Sequence, residues 1–286
     1  MTTMTHRTIV AAGAAGVCAS ALLWHWRRRP KAPLVLTYLA AKGTGEMIRL
    51  ALHIGRVPFV DRRVSYEEVA ALRRAGALPC GQVPVLEVDG ETYCQSASIL
   101  RYVGKAAGLY PADPATALRC DMVCDALDEL RRDLNPLWCA NSASNSTRRP
   151  PSDPRGFRYG AALRRDPTTA APGVPLSAEQ RAAAAAAVRG SYLPTGFRRL
   201  EAVLGDRPYF CGGKLTIADV ALFVDASQIL DGEFDEALGV GAAVLADCPG
   251  LRRLCLRVRR HPRVRDWARP KFDAKLRSSA YPASLR

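Results

Sequence analysis

The sequence is poor in the residues from which most metal and redox centres are built. It has four histidines in 286 residues, and only His53 and His261 lie beyond the N-terminal segment. A histidine-rich metal centre or a histidine-based triad therefore has few groups to draw on. The nine cysteines include no CxxC pair and no repeated spacing, which argues against a zinc site or a disulfide framework. We expect no metal and reduced thiols, as is typical of a chain that faces the cytosol.

Acidic residues are scarce near the C terminus. Between residues 252 and 286 there are 12 Lys or Arg, and the only acids are Asp266 and Asp273. One explanation is a solvated basic face on terminal helices, and the other is attraction to an anionic membrane surface. The charges are accompanied by no aromatic interleaving and no known reading motif, so we expect no nucleic-acid partner.

One long uncharged run occurs at the N terminus. Thr8 to Trp26 has no formally charged residue and is followed by four cations between 27 and 31. This length is about enough to cross a bilayer once, and the cations that follow predict that the rest of the chain lies on the cytosolic side. We therefore predict that residues 1–32 are an anchor in the mitochondrial outer membrane or the endoplasmic reticulum. The alternative is an organelle-targeting segment that is cleaved near Ala19 to Ala21.

Between residues 33 and 109 the hydrophobic pattern alternates between strands and helices. Strands are predicted at Leu34 to Tyr38, Phe59 to Val64, Val85 to Val88 and Thr92 to Cys94, with helices at Met47 to Ile54, Tyr66 to Arg74 and from Ser96 to Gly108. Gly55 is predicted to end the first helix. The order predicts an α/β thioredoxin-like domain, which is a mixed sheet with helices on both faces.

No strand pattern follows residue 109, so residues 115–275 are predicted to form an all-α domain. Ala115 to Cys139 and Ser177 to Leu204 have helical periodicity. The segment 141–175 is rich in Ser, Pro, Arg, Thr and Gly and is predicted to be a mobile surface insertion. Residues 276–286 are predicted to be a basic tail.

Short motifs recur in a fixed order along both regions. They are Leu36 to Tyr38 followed by Gly43 to Glu46, then Gly81 to Leu86, then Gln95 with Ser96, and finally a capping box of Thr216 and Asp219. This arrangement resembles glutathione transferases, and the Leu-Thr-Tyr start and the run Leu86 to Gly90 are most similar to the sigma class. The resemblance covers about Leu34 to Trp138 and Tyr192 to Lys275. It implies the glutathione transferase fold, with glutathione as co-substrate.

The resemblance assigns the central chemical role to Tyr38. Glutathione reacts as its thiolate, and a thiol pKa of about 8.5 leaves only about 3 per cent ionised at pH 7. A hydrogen bond from the Tyr38 hydroxyl to the sulfur would lower that pKa by about one to two units. A redox relative of this fold would need a cysteine at the end of the first strand, and none lies between Leu34 and Ile54. Packing of a strand-end tyrosine is the structural alternative.

The resemblance also implies a set of glutathione-binding residues. Val83 is expected to precede a cis peptide bond at Pro84 and to present its backbone to the cysteinyl unit. Gln95 and Ser96 would hold the γ-glutamyl end at a helix N-terminus, where a plain N-cap is the alternative for Ser96. The complete implied set is Tyr38, Thr44, Arg74, Gln82, Val83, Pro84, Gln95, Ser96 and Asp128.

Three of these assignments concern charge. The family usually has arginine at the position of Thr44, and its tryptophan and lysine of the second helix align with alanines here, so Arg73 or Arg74 is expected to supply the cation. Asp128 matches an acidic residue that reaches the glutathione of the partner subunit, which implies a homodimer. An exposed helical carboxylate is the alternative for Asp128.

The implied activity is conjugation of glutathione to a hydrophobic electrophile, as in detoxification, or isomerisation of a prostaglandin-like substrate at the same site. A non-catalytic scaffold of the same fold at a membrane surface is the alternative function. Retention of Tyr38, Val83, Pro84, Gln95 and Ser96 favours the enzyme.

Overall fold

A computed structural model of the chain describes residues 32–141, 178–230 and 242–267. Three predicted segments lie outside the described residues, wholly or except for one residue: the anchor at 1–32, the insertion at 141–175 and the basic tail at 276–286. In the described ranges, none of the helices has both the length and the apolar composition needed to cross a membrane.

The first region forms a four-stranded mixed sheet. Its strands are Leu34–Leu39 (β1), Phe59–Val64 (β2), Val85–Val88 (β3) and Glu91–Cys94 (β4). They lie in the order β2-β1-β3-β4, with β1 parallel to β2 and antiparallel to β3, and β3 antiparallel to β4. Asp89 and Gly90 both have positive φ, as a two-residue hairpin turn requires. The predicted mixed sheet is confirmed.

Helices cover both faces of this sheet. They are Gly43–Gly55 (α1), Tyr66–Arg74 (α2) and Ser96–Ala106 (α3). Helix α2 begins at a capping box, because the Ser65 hydroxyl accepts from the Glu68 N–H at 3.2 Å while the Glu68 carboxylate accepts from the Ser65 N–H at 2.6 Å. Helices α1 and α3 pack on the face that carries Leu36, and α2 packs on the face that carries Val85.

Helix α1 ends at Gly55, as predicted, and the next residue, Arg56, takes the left-handed conformation with φ of 54°. Gly55 also has a packing role, since a Cβ there would lie 2.3 Å from the Cβ of Ala107. It therefore allows α1 to approach the end of α3 closely.

The second region is built from helices. They are Pro114–Asn141 (α4), Ala178–Ala187 (α5), Leu193–Leu204 (α6), Ile217–Leu230 (α7) and Pro249–Arg260 (α8), with a 3₁₀ turn at Ala242–Leu245. A π-helical turn at Val188–Tyr192 joins α5 to α6. The helical periodicity predicted from Ser177 to Leu204 is thus interrupted by a local widening of the helix.

One buried cluster extends from the sheet into the helices of the second region. Helix α7 is buried over most of its surface, and Ile217, Val220 and Leu222 are fully enclosed. A helix that is apolar on all sides is expected in such a core. Helix α1 packs against α7 as well as against α3. Helix α1 is thus held by both regions.

Candidate active site

The edge of the sheet at the end of β1 is where predicted site residues come together. Thr37 lies opposite Val85, and Val85 lies opposite Cys94. One residue closer to this edge on each strand, the neighbouring row across the sheet consists of Tyr38, Pro84 and Gln95. Because neighbouring strands are about 4.8 Å apart, the row spans about 10 Å. A single ligand of tripeptide size can therefore contact all three positions.

The Tyr38 side chain is half-buried and lies against the first turn of α1. The Thr44 hydroxyl donates a hydrogen bond to Tyr38 Oη at 3.3 Å. Two glycines make room for the ring: an added Cβ would lie 2.4 Å from Oη at Gly43 and 2.3 Å from the ring carbon Cδ1 at Gly45. With the Thr44 hydroxyl as the donor in this pair, the tyrosine's own proton can be donated to another acceptor.

A buried arginine lies behind this ring. Arg49 is fully buried, and its guanidinium carbon is 5.5 Å from the centroid of the Tyr38 ring, which is within the range of a cation–π contact. Its N–H groups donate to Asp61 at 2.9 Å, to Glu46 at 3.4 Å, and to two main-chain carbonyls in the segment 39–41. Arg49 was not among the residues predicted from the sequence. The sequence feature that could have identified it is a cation on the apolar face of an amphipathic helix, where charged residues are rare unless they are paired.

Glu46 also links the start of α1 to the end of the described chain. The Trp267 indole N–H donates to Glu46 Oε1 at 2.8 Å, and the Trp267 ring lies 5.0 Å from the ring of His53. The second region therefore contacts the first turn of α1, two residues beyond Thr44. This contact was not predicted from the sequence, because the two residues are 221 positions apart.

The loop before β3 carries the second group of predicted residues. The Val83–Pro84 peptide bond is cis, as predicted. Pro84 is buried and Gln82 is exposed. Arg73 Nε donates to the carbonyl of Gly81 at 2.7 Å, whereas Arg74 is exposed at the end of α2. Of the two arginines proposed as the compensating cation, the structure brings Arg73 to this loop.

Gln95 and Ser96 lie at the start of α3. Gln95 has φ of 74° and ψ of 105°, a left-handed conformation that is uncommon for a residue with a side chain. Such strained residues are found mainly at functional sites. Gln95 is the N-cap and makes no side-chain capping bond, and Ser96 is the first helical residue. The alternative of Ser96 as a plain N-cap is therefore wrong.

Asp128 belongs to an ionic group between two helices. Its carboxylate lies 3.4 Å from Arg131 on α4, and Arg131 Nε donates to Asp225 on α7 at 3.0 Å. Burial raises the pKa of Asp225 to about 6, although Arg131 acts in the opposite direction. The Asp128 side chain is only 17% exposed, so the alternative of an exposed helical carboxylate is wrong.

Asp219 has the structural role that the sequence predicts. Its carboxylate accepts from the N–H and the hydroxyl of Thr216, both at 2.8 Å, and from the N–H of Phe210 at 2.9 Å. Burial raises the pKa of Asp219 to about 6, against the effect of these hydrogen bonds. The residue ties the start of α7 to the preceding loop.

An open cleft of about 490 Å³ is lined by Leu52, His53, Arg56, Phe59, Arg263 and Asp266. It borders the C-terminal end of α1, whereas Tyr38 contacts the first turn of that helix. At a rise of about 1.5 Å per residue, the two ends are about 15 Å apart. The cleft includes none of the predicted site residues. In the described ranges, no group of three or more His, Cys, Asp or Glu side chains is arranged to hold a metal ion.

Comparison with known proteins identifies the class to which this fold belongs. Residues 172–271 match the family model described as glutathione S-transferase, C-terminal domain. Over 103 residues the chain is 40% identical to glutathione S-transferase 1 of Ascaris suum, which covers 36% of this chain and 49% of that protein. It is 38% identical over 96 residues to glutathione S-transferase S1 of Drosophila melanogaster, covering 34% and 38%.

Solved structures agree over a longer range. The glutathione S-transferase of Ascaris lumbricoides aligns with a TM-score of 0.58 at 25% identity, covering 84% of this chain and 98% of that one. Rat hPGDS complexed with a quinoline aligns with a TM-score of 0.61 at 21% identity, covering 84% and 98%. The chain therefore has the glutathione transferase fold. Its sequence matches span about half the length, or less, of the curated relatives named here.

Proposed function

We propose that the chain is a glutathione transferase in which the Tyr38 hydroxyl stabilises the glutathione thiolate. The observation that carries this proposal is the position of Tyr38 Oη, at the start of α1 and hydrogen-bonded by the Thr44 hydroxyl at 3.3 Å. The resemblance of the sequence to glutathione transferases supports it. The fold alone would not, because one fold hosts many functions.

Stabilisation of the thiolate depends on the hydroxyl proton of Tyr38. Thr44 donates to Tyr38 Oη, so the tyrosine proton is available to the sulfur of glutathione. One hydrogen bond to a charged group contributes about 1.5 to 3 kcal/mol, which lowers a thiol pKa by about one to two units. The first-turn N–H groups of α1 add a favourable electrostatic term for an anion at the same position. The thiolate then attacks the electrophile, and the thiol proton has already passed to solvent.

The rest of the glutathione site is proposed on the row of strand ends. In this proposal the backbone of Val83, next to Gln82 and Pro84, pairs with the cysteinyl unit. Gln95 and Ser96 bind the γ-glutamyl end at the start of α3. The strained backbone of Gln95 supports this, because a costly conformation persists where a function requires it.

Cationic and intersubunit contacts complete the proposal. Arg74 is exposed and can reach a carboxylate of glutathione, while Arg73 positions the loop through Gly81. Asp128 would reach the glutathione amine of a partner subunit in a homodimer, which requires it to leave its contact with Arg131 in part. Arg131 also pairs with Asp225, so it would keep a partner if Asp128 turned toward the partner subunit.

The electrophile is proposed to be hydrophobic, bound between Tyr38 and the helices after residue 114. Isomerisation of a prostaglandin-like substrate would use the same thiolate and differs only in the second substrate. A scaffold without activity is the alternative that the absence of an arginine at position 44 favours. Anchoring by residues 1–32, with the catalytic part in the cytosol, belongs to the same proposal and rests on the sequence.

The test measures glutathione binding and conjugation with the full chain. Calorimetric titration gives binding, and the rate of conjugation to a simple aryl halide gives activity, for the wild type, Tyr38→Phe and Tyr102→Phe. Tyr102 lies on α3 and is 38% exposed, so its variant controls for loss of a hydroxyl. We expect binding in all three chains and loss of most of the conjugation rate only in Tyr38→Phe.

Other outcomes identify the alternatives. Absence of glutathione binding in the wild type would favour the scaffold. Binding without conjugation, together with turnover of a prostaglandin endoperoxide, would favour the isomerase. Equal conjugation rates in the wild type and Tyr38→Phe would remove the proposed role of the tyrosine.

A further inference from the structure

Two cysteines lie next to each other at the rim of the proposed glutathione site. Cys80 precedes Gly81 in the loop before β3, and Cys94 is the last residue of β4. Their Sγ atoms are 2.7 Å apart, and the residues are 14 positions apart in the chain. Both are free thiols. The mechanism proposed above uses neither of them.

The backbone holds this pair in place from both sides. Cys94 lies opposite Val85 in the β3–β4 ladder. Cys80 is in a tight turn, in which the Gly81 N–H donates to the Leu78 carbonyl at 2.8 Å and the Gly81 carbonyl accepts from Arg73 at 2.7 Å. A disulfide bond is about 2.05 Å long, so the sulfurs need to approach by less than about 1 Å to form one.

The two thiols are more accessible than four other described cysteines, although Cys211 is half-buried like Cys94. Cys80 is exposed and Cys94 is half-buried, whereas Cys120, Cys124, Cys248 and Cys255 are buried. The hydrogen bond with Cys80 raises the pKa of Cys94, so Cys94 holds its proton at neutral pH. Cys80 is exposed and is therefore the thiol that a disulfide in solution reaches first, since thiol–disulfide exchange requires access.

We propose that Cys80 and Cys94 form a redox-active dithiol that exchanges with small disulfides, of which glutathione disulfide is the natural representative beside a glutathione site. This site is separate from the transferase chemistry and does not require it. Only the choice of glutathione disulfide among small disulfides rests on the proposed function.

The exchange proceeds in two balanced steps. The Cys80 thiolate attacks one sulfur of glutathione disulfide, whose S–S bond breaks to leave a mixed disulfide on Cys80 and one glutathione thiolate. Cys94 then loses its proton to solvent and attacks the Cys80 sulfur, expelling the second glutathione thiolate. The protein pair loses two electrons, and the glutathione disulfide gains them and takes up two protons. Excess glutathione reverses both steps.

The experiment equilibrates the reduced full chain with glutathione buffers of increasing disulfide fraction. The samples are then quenched in acid, alkylated and analysed by peptide mass spectrometry. Cys80 and Cys94 fall in one tryptic peptide, residues 75–101, which we expect to lose two hydrogen atoms and both alkylation sites. A second cleavage after Glu87 and Glu91 then yields two pieces joined by the disulfide. Reduced glutathione in excess should restore both alkylation sites.

Variants separate the two steps and test the site. Cys94→Ser should stop at one glutathionyl group on Cys80, and Cys80→Ser should show neither product. The control Cys211→Ser, which removes another thiol that is half-buried, should form the same internal disulfide as the wild type. Tyr38→Phe should do so too, which separates this proposal from the transferase.

The proposal is overturned if both thiols stay alkylatable in excess glutathione disulfide. It is also overturned if the disulfide joins another pair, such as Cys120 and Cys211, or if Cys94→Ser gains no glutathionyl group.

Discussion

The guanidinium of Arg49 lies behind the ring of Tyr38, with its central carbon 5.5 Å from the ring centroid. This contact joins a fully buried cation to the one side chain on which the proposed chemistry depends. Arg49 is neutralised by Glu46 and Asp61. Its role is therefore to fix the ring against α1, and the proton that acts on the sulfur belongs to Tyr38.

Replacing Arg49 should destabilise the protein strongly. Arg49→Met leaves the carboxylates of Glu46 and Asp61 without their shared partner, and breaking a buried ion pair in this way costs about 3 to 5 kcal/mol. Urea unfolding measures the loss. The matched control is Arg74→Met, an exposed arginine, which should change the free energy of unfolding by less than about 0.5 kcal/mol. Equal effects of the two changes would contradict the buried network.

The first turn of α1 should tolerate no side chain at Gly45. A Cβ there would lie 2.3 Å from the Tyr38 ring, so Gly45→Ala must displace the ring. We expect a loss of about 1 to 3 kcal/mol in stability and about a tenfold or greater loss in conjugation rate. Gly190→Ala is the control, because nothing lies within 4 Å of that position. Full activity in Gly45→Ala would mean that the ring does not need its observed position.

The Thr44 hydroxyl should contribute to catalysis through Tyr38. Thr44→Val keeps the shape of the side chain but removes the donor to Tyr38 Oη, and a hydrogen bond of this kind is worth about 0.5 to 1.5 kcal/mol. We expect kcat/KM for an aryl halide to fall by about two- to tenfold, with glutathione affinity little changed. Thr44→Ser keeps a hydroxyl and should retain most of the rate. A similar loss in both variants would instead indicate a packing effect.

Asp219 should make stability depend on pH in a defined direction. Its folded pKa of about 6 is above the ordinary value of 3.8, so between these values the folded state binds more protons than the unfolded state. The free energy of unfolding therefore falls as pH rises from about 4 to about 6, by roughly 3 kcal/mol for this one group.

The measurement compares urea unfolding of the wild type and Asp219→Asn at pH 4 and pH 7. Asparagine does not titrate, so the wild type should lose stability relative to the variant over this interval. If the wild type instead gains, the hydrogen bonds to the carboxylate outweigh its burial. Asp219→Ala leaves the N–H groups of Thr216 and Phe210 without an acceptor and should cost about 2 to 4 kcal/mol at either pH.

Local signals made most of the first region predictable. The bounds of β2 and α2 agree with the sequence prediction because Ser65 and Glu68 mark the start of the helix at a capping box. The two-residue turn of Asp89 and Gly90 determines how β3 pairs with β4 in the hairpin. The register of that hairpin then carries Pro84 and Gln95 to the edge that also holds Tyr38, which the order of motifs along the chain had indicated.

Features that depend on contacts between distant residues could not be predicted. Nothing local to Arg49 shows that Asp61 will lie 2.9 Å away on another strand. Likewise, nothing near Asp128 in the sequence shows that Asp225 on α7 will share Arg131 with it. Gly55 ends α1 as predicted, but nothing in the local sequence shows that Ala107 will approach it so closely. In each case, tertiary packing decides what the residue does.

The pKa of the bound glutathione thiol tests the central claim most directly. The ultraviolet absorbance of the thiolate is followed while the pH of the full chain with saturating glutathione is varied, in the wild type, Tyr38→Phe and the control Tyr102→Phe. The account predicts a bound thiol pKa about one to two units below 8.5 in the wild type and the control. In Tyr38→Phe it should return toward 8.5, and the same low value in all three chains would contradict the assignment of Tyr38.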